Sequence, residues 1–389
     1  MSAFGGKADM TVCRCLLLRS LLEVKRTWLI AAHMSASDPK RTSGCPLTGL
    51  FWTVTMYCPE LTVANPRRRR IKTNSRGKKE AKLEGSHGPF IGPCLFAVSH
   101  VIPCNATSSA LVKEAEVNGV RLQYLEQGSG EPVVFVHGVF SDYRIWDPII
   151  RDEIARKYRF IALTQRYFGT GPWKDDGKEF SVATFADDLA KFITSLNAGP
   201  VHLVGWSFGG HVAMTMAVQN PSLVRSLVLY EASVMSVLPA HSPEGKVARE
   251  DRGRIFASSA AASKAGDPVK ATRLLFEAVF QLPPGGSDRE PQAFQTMLDD
   301  NARTTPLLFR APPPPDITCD MLTKFTRPTL VMRGEKTHTS YVMMSDAIGK
   351  CVPGALQIVL PTFNHDGPAR DPAGFSAAVI DFLSKQPGL

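Results

Sequence analysis

The 389-residue chain is long enough for one large domain or two smaller ones, and its 44% hydrophobic content suffices for a sizeable buried core. Its net charge of +9 does not mark a nucleic-acid partner. Residues 1–110 carry 16 Lys and Arg against 6 Asp and Glu, whereas the remainder carries 29 against 30, so the basic balance belongs to the leading segment and is silent about any substrate.

That segment shows no sustained helical or alternating pattern. Its best helix candidate, CLLLRSLLEVKRTWLIAA, is broken by Arg19, Glu23, Lys25 and Arg26, so no membrane span is expected, since a span takes about 20 apolar residues in a row. CLLL is too short for a secretion signal at the start. GPFIGPCLFAVSHVIPCNATSSA would serve as a weak signal only if translation began later. The run RRRRIKTNSRGKK, Arg67–Lys79, lacks interleaved aromatics and reads as solvated, disordered chain rather than a phosphate-binding surface. Residues 1–110 are therefore expected to be a disordered or spurious extension. Six cysteines lie in it (Cys13, Cys15, Cys45, Cys58, Cys94 and Cys104), irregularly spaced and without paired histidines, so no zinc site is expected. Only Cys319 and Cys351 follow, which is no disulfide framework and suits a reducing, cytoplasmic setting.

From residue 111 the pattern becomes regular. EVNGVRLQYLEQ reads as a hairpin, with Asn118-Gly119 suited to a type I′ turn and Val120, Leu122 and Tyr124 alternating after it. PVVFVHG is a short continuous apolar run, as expected of a strand buried on both faces. FIALTQ, VHLVGW, SLVLYE, TLVMRG and LQIVLP repeat that form. SVATFADDLAKFITSLNAG places Val182, Phe185, Leu189, Phe192, Ile193 and Leu196 on one helical face, with Gly199 closing the helix. An opening hairpin followed by alternating strands and helices predicts an α/β fold, with a mostly parallel, doubly wound sheet. Between SLVLYE and TLVMRG the alternation stops, over a stretch too long for a loop and rich in helical pattern. The expected division is a core of 111–231 and 328–389 with an inserted helical cap, 232–327.

Gly205-Trp206-Ser207-Phe208-Gly209 matches G-x-S-x-G directly after the strand VHLV and before the helix HVAMTMAVQN. In that context the glycines permit a strained strand-to-helix turn that lifts the serine oxygen above the sheet edge. The dipole of the following helix faces negative charge developing there. No pair of histidines has the helical spacing of a zinc site, and no glycine loop has the form of a phosphate cradle, so no metal or organic cofactor is expected.

From about 111 onward the chain resembles capped proteins of the α/β-hydrolase fold, on the strength of VVFVHGVFSDYRIWD, VHLVGWSFGG, PTLVMRGE and LPTFNHDGP. The resemblance implies Ser207 as nucleophile, His365 as general base and the backbone N–H groups of Val139 and Phe208 as oxyanion hole. It implies a pocket involving Phe140 and Trp206, residues that equally suit ordinary core. His137 is expected to hold the oxyanion loop, and His202 and His211 to pack. Arg166 suits a structural salt bridge better than an acidic substrate.

The acid is out of place. Family members usually carry an aspartate two or three residues past the glycine of TLVMRG, where this chain has Gly334-Glu335-Lys336-Thr337. Threonine cannot ionise, so Thr337 cannot stabilise an imidazolium. In some capped relatives the acid sits at the end of the preceding strand, here SLVLY, which ends in Glu231, 24 residues after Ser207. Glu231 is the first candidate and Glu335 the second. A serine rather than an aspartate nucleophile favours an acyl-enzyme over an alkyl-enzyme. The expected function is hydrolysis of a small-molecule carboxylic ester, with C–C bond hydrolysis and perhydrolysis as alternatives on the same triad. A non-catalytic small-molecule receptor is the alternative from another class. The sequence carries no signal for oligomeric state.

Overall fold

The computed structural model of the protein describes residues 110–386 apart from Asp147. The expectation for the leading segment, residues 1–109, lies outside the described residues. The apolar runs form eight strands: β1 (Leu111–Val117), β2 (Val120–Gln127), β3 (Pro132–Val136), β4 (Arg159–Leu163), β5 (Val201–Trp206), β6 (Val224–Tyr230), β7 (Thr329–Gly334) and β8 (Leu356–Leu360). They make one sheet in the order β1-β2-β4-β3-β5-β6-β7-β8. The pairs β1–β2 and β2–β4 are antiparallel and the others parallel. Asn118 and Gly119 both take positive φ, 48° and 71°, as a type I′ turn requires, and the turn sets Val117 opposite Val120.

Every residue of β3 and of β5 is buried. Burying each large apolar side chain contributes roughly 1.5–3 kcal/mol, so these central strands anchor the core. β8 departs from the expectation of burial on both faces. It is the last strand of the sheet, and Leu356 and Val359 stand exposed.

Helices that cover the sheet's faces include α1 (Pro148–Ala155), α2 (Val182–Ser195) and α3 (Phe208–Gln219). In α2 Ser181 caps the first turn by accepting from Thr184 N, and Val182, Phe185, Leu189, Phe192 and Ile193 face inward. The helix stops at Ser195, short of the expected Gly199, because Asn197 already takes the left-handed turn with φ 49°. Between β6 and β7 the chain runs through α4 (Pro243–Lys264), α5 (Pro268–Val279), α6 (Gln292–Asn301), α7 (Thr305–Arg310) and α8 (Cys319–Leu322). After β7 comes α9 (Thr339–Cys351), then α10 (Gly367–Arg370) and α11 (Pro372–Ser384). α4 packs on both α5 and α9, which brings the insertion against the end of β7. No helix among the described residues is long and apolar enough to cross a membrane.

One sequence expectation is corrected here. Cys319 and Cys351 form a disulfide with Cα atoms 5.1 Å apart, across 32 residues. A strand followed by a returning helix carries the chain out and back, so α8, which precedes β7, meets the end of α9. The pairing removes the support that cysteine usage gave to a reducing compartment.

Candidate active site

Ser207 joins β5 to α3 with φ 57° and ψ −120°. Such a conformation costs on the order of 1–3 kcal/mol in a non-glycine residue, and surrounding bonds must hold it. Here Ser207 N donates to Tyr230 O at 3.0 Å, and Ser207 O accepts from His211 N at 3.2 Å and from Ser233 N at 3.0 Å. The turn needs glycine on its far side. A Cβ at Gly209 would collide with the carbonyl oxygens of His137 and Val136. The serine therefore stands at the carboxyl edge of β5, close under the neighbouring loop.

The residue after β6, Glu231, has φ 46° and is fully buried. Three donors meet its carboxylate. Gly334 N–H reaches Oε1 at 2.7 Å, while the Thr337 hydroxyl reaches Oε2 at 2.7 Å. His365 Nδ1–H reaches the same Oε2 at 2.6 Å. A carboxylate taken out of water needs that many partners to remain charged. The carboxylate only accepts, so the proton of the His365 ring sits on Nδ1 and the lone pair on Nε2. Thr337 thus occupies the place where the sequence leads one to seek an acid and donates to Glu231 instead. Glu335 points elsewhere, accepting from Thr362 N at 3.2 Å on the exposed side.

His365 is 1% exposed and is held from several sides. Trp206 Nε1 donates to its carbonyl at 3.0 Å, and the Tyr230 hydroxyl to that of Asn364 at 2.6 Å. The ring of Tyr341, in α9, stacks on the imidazole with centroids 4.0 Å apart and planes at 15°. Burial pushes the Tyr341 phenol up to about 12, and its polar neighbours include the Ser207 hydroxyl. Among the described residues no hydrogen bond joins Ser207 to His365. Contacts of that kind commonly tighten only once substrate is in place. Tyr341 escaped the sequence analysis because nothing in TSYVMM separates a site residue from a core one.

The loop after β3 completes the surroundings. A Cβ on Gly138 would lie 3.3 Å from Ser207 Cβ, so this loop abuts the serine. His137 holds it: Nδ1–H donates to Gly138 O at 2.7 Å and Nε2 accepts from Gln165 N at 3.1 Å. Burial pulls the His137 imidazole down to about 4, so it is neutral at pH 7. The N–H groups of Val139 and Phe208 donate to no other group among the described residues. Phe140 and Trp206 are both buried. Phe140 meets Phe276 of α5 edge-on, and Trp206 stacks on Phe280 just beyond α5 at 6.0 Å and 6°.

Other candidates separate from this centre. Arg166 is bound by both oxygens of Asp188, each at 2.7 Å, and by Glu179 at 2.6 Å. His202 bonds Ser226 and Glu131, away from Ser207. A cavity of about 410 Å³ opens between the β1–β2 hairpin and residues 164–174, and its walls include neither Ser207 nor His365. Among the described residues no cluster of three His, Cys, Asp or Glu side chains is placed to hold a metal ion.

A family model described as the alpha/beta hydrolase fold matches residues 131–368. Among curated proteins, the chain is 25% identical over 269 residues to 2-(acetamidomethylene)succinate hydrolase of Mesorhizobium japonicum, covering 67% of this chain and 90% of that protein. It is 30% identical over 166 residues to a putative non-heme bromoperoxidase of Mycobacterium tuberculosis, covering 42% of this chain and 53% of the relative. Among solved structures, an esterase from a Rhodococcus species superposes with a TM-score of 0.58 at 23% identity, over 71% of this chain and 99% of that one.

Proposed function

The chain belongs to the α/β-hydrolase-fold family, and from that premise we propose that it is a serine hydrolase cleaving a carboxylic ester through an acyl-enzyme on Ser207. The observation that carries this reading is the buried Glu231–His365 pair at 2.6 Å beside a serine held at positive φ. Ser207 Oγ attacks the ester carbonyl and gives its proton to His365 Nε2. Glu231 stabilises the imidazolium so formed. The N–H groups of Val139 and Phe208 stabilise the oxyanion, each by an amount on the order of 3 kcal/mol. His365 then protonates the departing alkoxide, and the acyl group stays on Ser207. A water molecule gives a proton to His365 and attacks that acyl carbonyl; His365 returns the proton to Ser207 Oγ as the Oγ–acyl bond breaks and the acid leaves.

Ester cleavage is preferred to C–C cleavage because an alkoxide needs only the proton His365 has taken, whereas a carbanion needs an electron sink besides. The reading takes residues 111–231 and 328–389 as the catalytic core and 232–327 as the cap that closes over it.

The test is covalent. A fluorophosphonate probe should label the folded protein at Ser207, as located by peptide mass spectrometry, and should leave Ser207→Ala untouched. A folded wild-type protein that takes no label would favour a receptor that has kept the fold without the chemistry.

A further inference from the structure

Two arginines of this molecule are treated differently. Arg166 has two carboxylates on it. Arg252, in the helix α4 of the insertion, has none among the described residues. Its neighbour in sequence, Asp251, is bound to Ser340 N at 2.9 Å and to Arg254 at 3.2 Å. Arg252 Nη1 donates to Ser233 Oγ at 2.8 Å, and the guanidinium lies 4.3 Å over the ring of Phe256. Its Nε and Nη2 donate to no protein group among the described residues, and it forms no ion pair there. Burial pulls the guanidinium below its ordinary value, and the one ionisable neighbour opposing this is the Tyr341 phenol. By surface area the side chain is only partly covered. The guanidinium is thus packed among protein groups yet partly open to an incoming ligand.

The location ties this cation to the nucleophile. Ser233, which holds Arg252, donates its own N–H to Ser207 O. Tyr341 neighbours both Arg252 and the Ser207 hydroxyl. His211, whose N–H meets the same Ser207 carbonyl, is buried with Nε2 lacking any partner. Burial, with the Arg252 charge beside it, pulls His211 down to about 4, so it adds no second positive charge at neutral pH. A largely enclosed cation without a counterion is costly to keep. The free Nε–Nη2 edge of a guanidinium is the edge that takes a planar carboxylate in two parallel hydrogen bonds. One positive charge calls for one negative charge, which fits a carboxylate better than a phosphate dianion.

We propose that Arg252 is the recognition cation of the site, and that the compound attacked at Ser207 carries a carboxylate which pairs with it. The inference rests on the hydrolase reading above and narrows it to acidic esters. The direct test compares mono-4-nitrophenyl glutarate with its methyl ester, 4-nitrophenyl methyl glutarate, which differ only in the charge. The wild-type protein should favour the acid in kcat/KM by tenfold or more. In Arg252→Met that preference should shrink by about a hundredfold, and in Arg252→Lys by less, because the charge stays while the two-pronged geometry goes. A preference unchanged within twofold in Arg252→Met, or a wild-type preference for the methyl ester, overturns the proposal while leaving the hydrolase reading intact. Should Arg252→Met fail to fold, Arg252→Lys carries the comparison, with fluorophosphonate labelling of Ser207 as the check that its site is formed. If neither ester is turned over and Ser207 takes no label, the hydrolase reading fails. Calorimetric titration with glutarate then decides the carboxylate site alone. Binding to wild type that weakens in Arg252→Lys supports it, and no binding overturns it.

Discussion

The carboxyl ends of β6 and β7 lie side by side in the sheet, yet they carry opposite chemistry. β6 ends into a buried carboxylate, Glu231, whereas β7 ends into donors, the N–H of Gly334 and the hydroxyl of Thr337, both aimed at that carboxylate. On the proposed reading, the difference teaches that an acid for His365 has two neighbouring strand ends to stand on, because Thr337 and His365 meet at the same Glu231 oxygen. It also explains the threonine. Thr337 Oγ1 is 2.7 Å from Glu231 Oε2, so an aspartate there would set two carboxylates against each other in a buried site, and one would have to take up a proton. Thr337 and Glu231 therefore belong together as a pair.

The largest expected effect tests whether either strand end matters to chemistry at all. Ser207→Ala should lower ester turnover by about 10³–10⁶ with the melting temperature nearly unchanged, because a nucleophile and its base act as a unit. A variant keeping a tenth of the activity would remove the serine from the account. The sharpest use of the comparison is Thr337→Asp in two backgrounds. Alone it should reduce kcat/KM by about 10–100-fold through like-charge repulsion. Combined with Glu231→Gln it should raise kcat/KM about tenfold above Glu231→Gln by itself, since the acid then stands on the other strand end. The same sign in both backgrounds would break the pairing. Thr337→Val removes one charge-assisted donor and should cost roughly tenfold. Glu335→Gln, whose carboxylate faces Thr362 N, should stay within about twofold, as exposed substitutions usually do.

Much of this was legible because it is written in local pattern. Asn118-Gly119 announces its turn, and the continuous apolar runs announce buried strands. The glycines around Ser207 reflect a close approach that no Cβ survives at Gly209. Glu231 stood out because an ionisable residue at the end of SLVLY needs a reason to be there. What escaped notice depends on partners far along the chain. The Cys319–Cys351 pairing appears only when β7 and α9 fold back on each other. The stacking of Tyr341 on His365 needs α9 to be placed first. Arg252 reads in sequence as one charge in the polar run REDRGR, and only packing shows that no carboxylate among the described residues answers it. β8 looks like its buried sisters in composition, because edge position is a property of sheet order and not of the strand.

The central claim is that the acid stands at the end of β6, and Glu231→Gln tests it with least change of shape. The measurement is kcat/KM on a 4-nitrophenyl ester, beside the melting temperature and the rate of fluorophosphonate labelling at Ser207. The account predicts a fall of about 10²–10⁴ in kcat/KM, slowed labelling and an intact fold, because the imidazolium loses the charge that stabilises it. A folded Glu231→Gln protein that keeps kcat/KM within twofold of the wild type would contradict it.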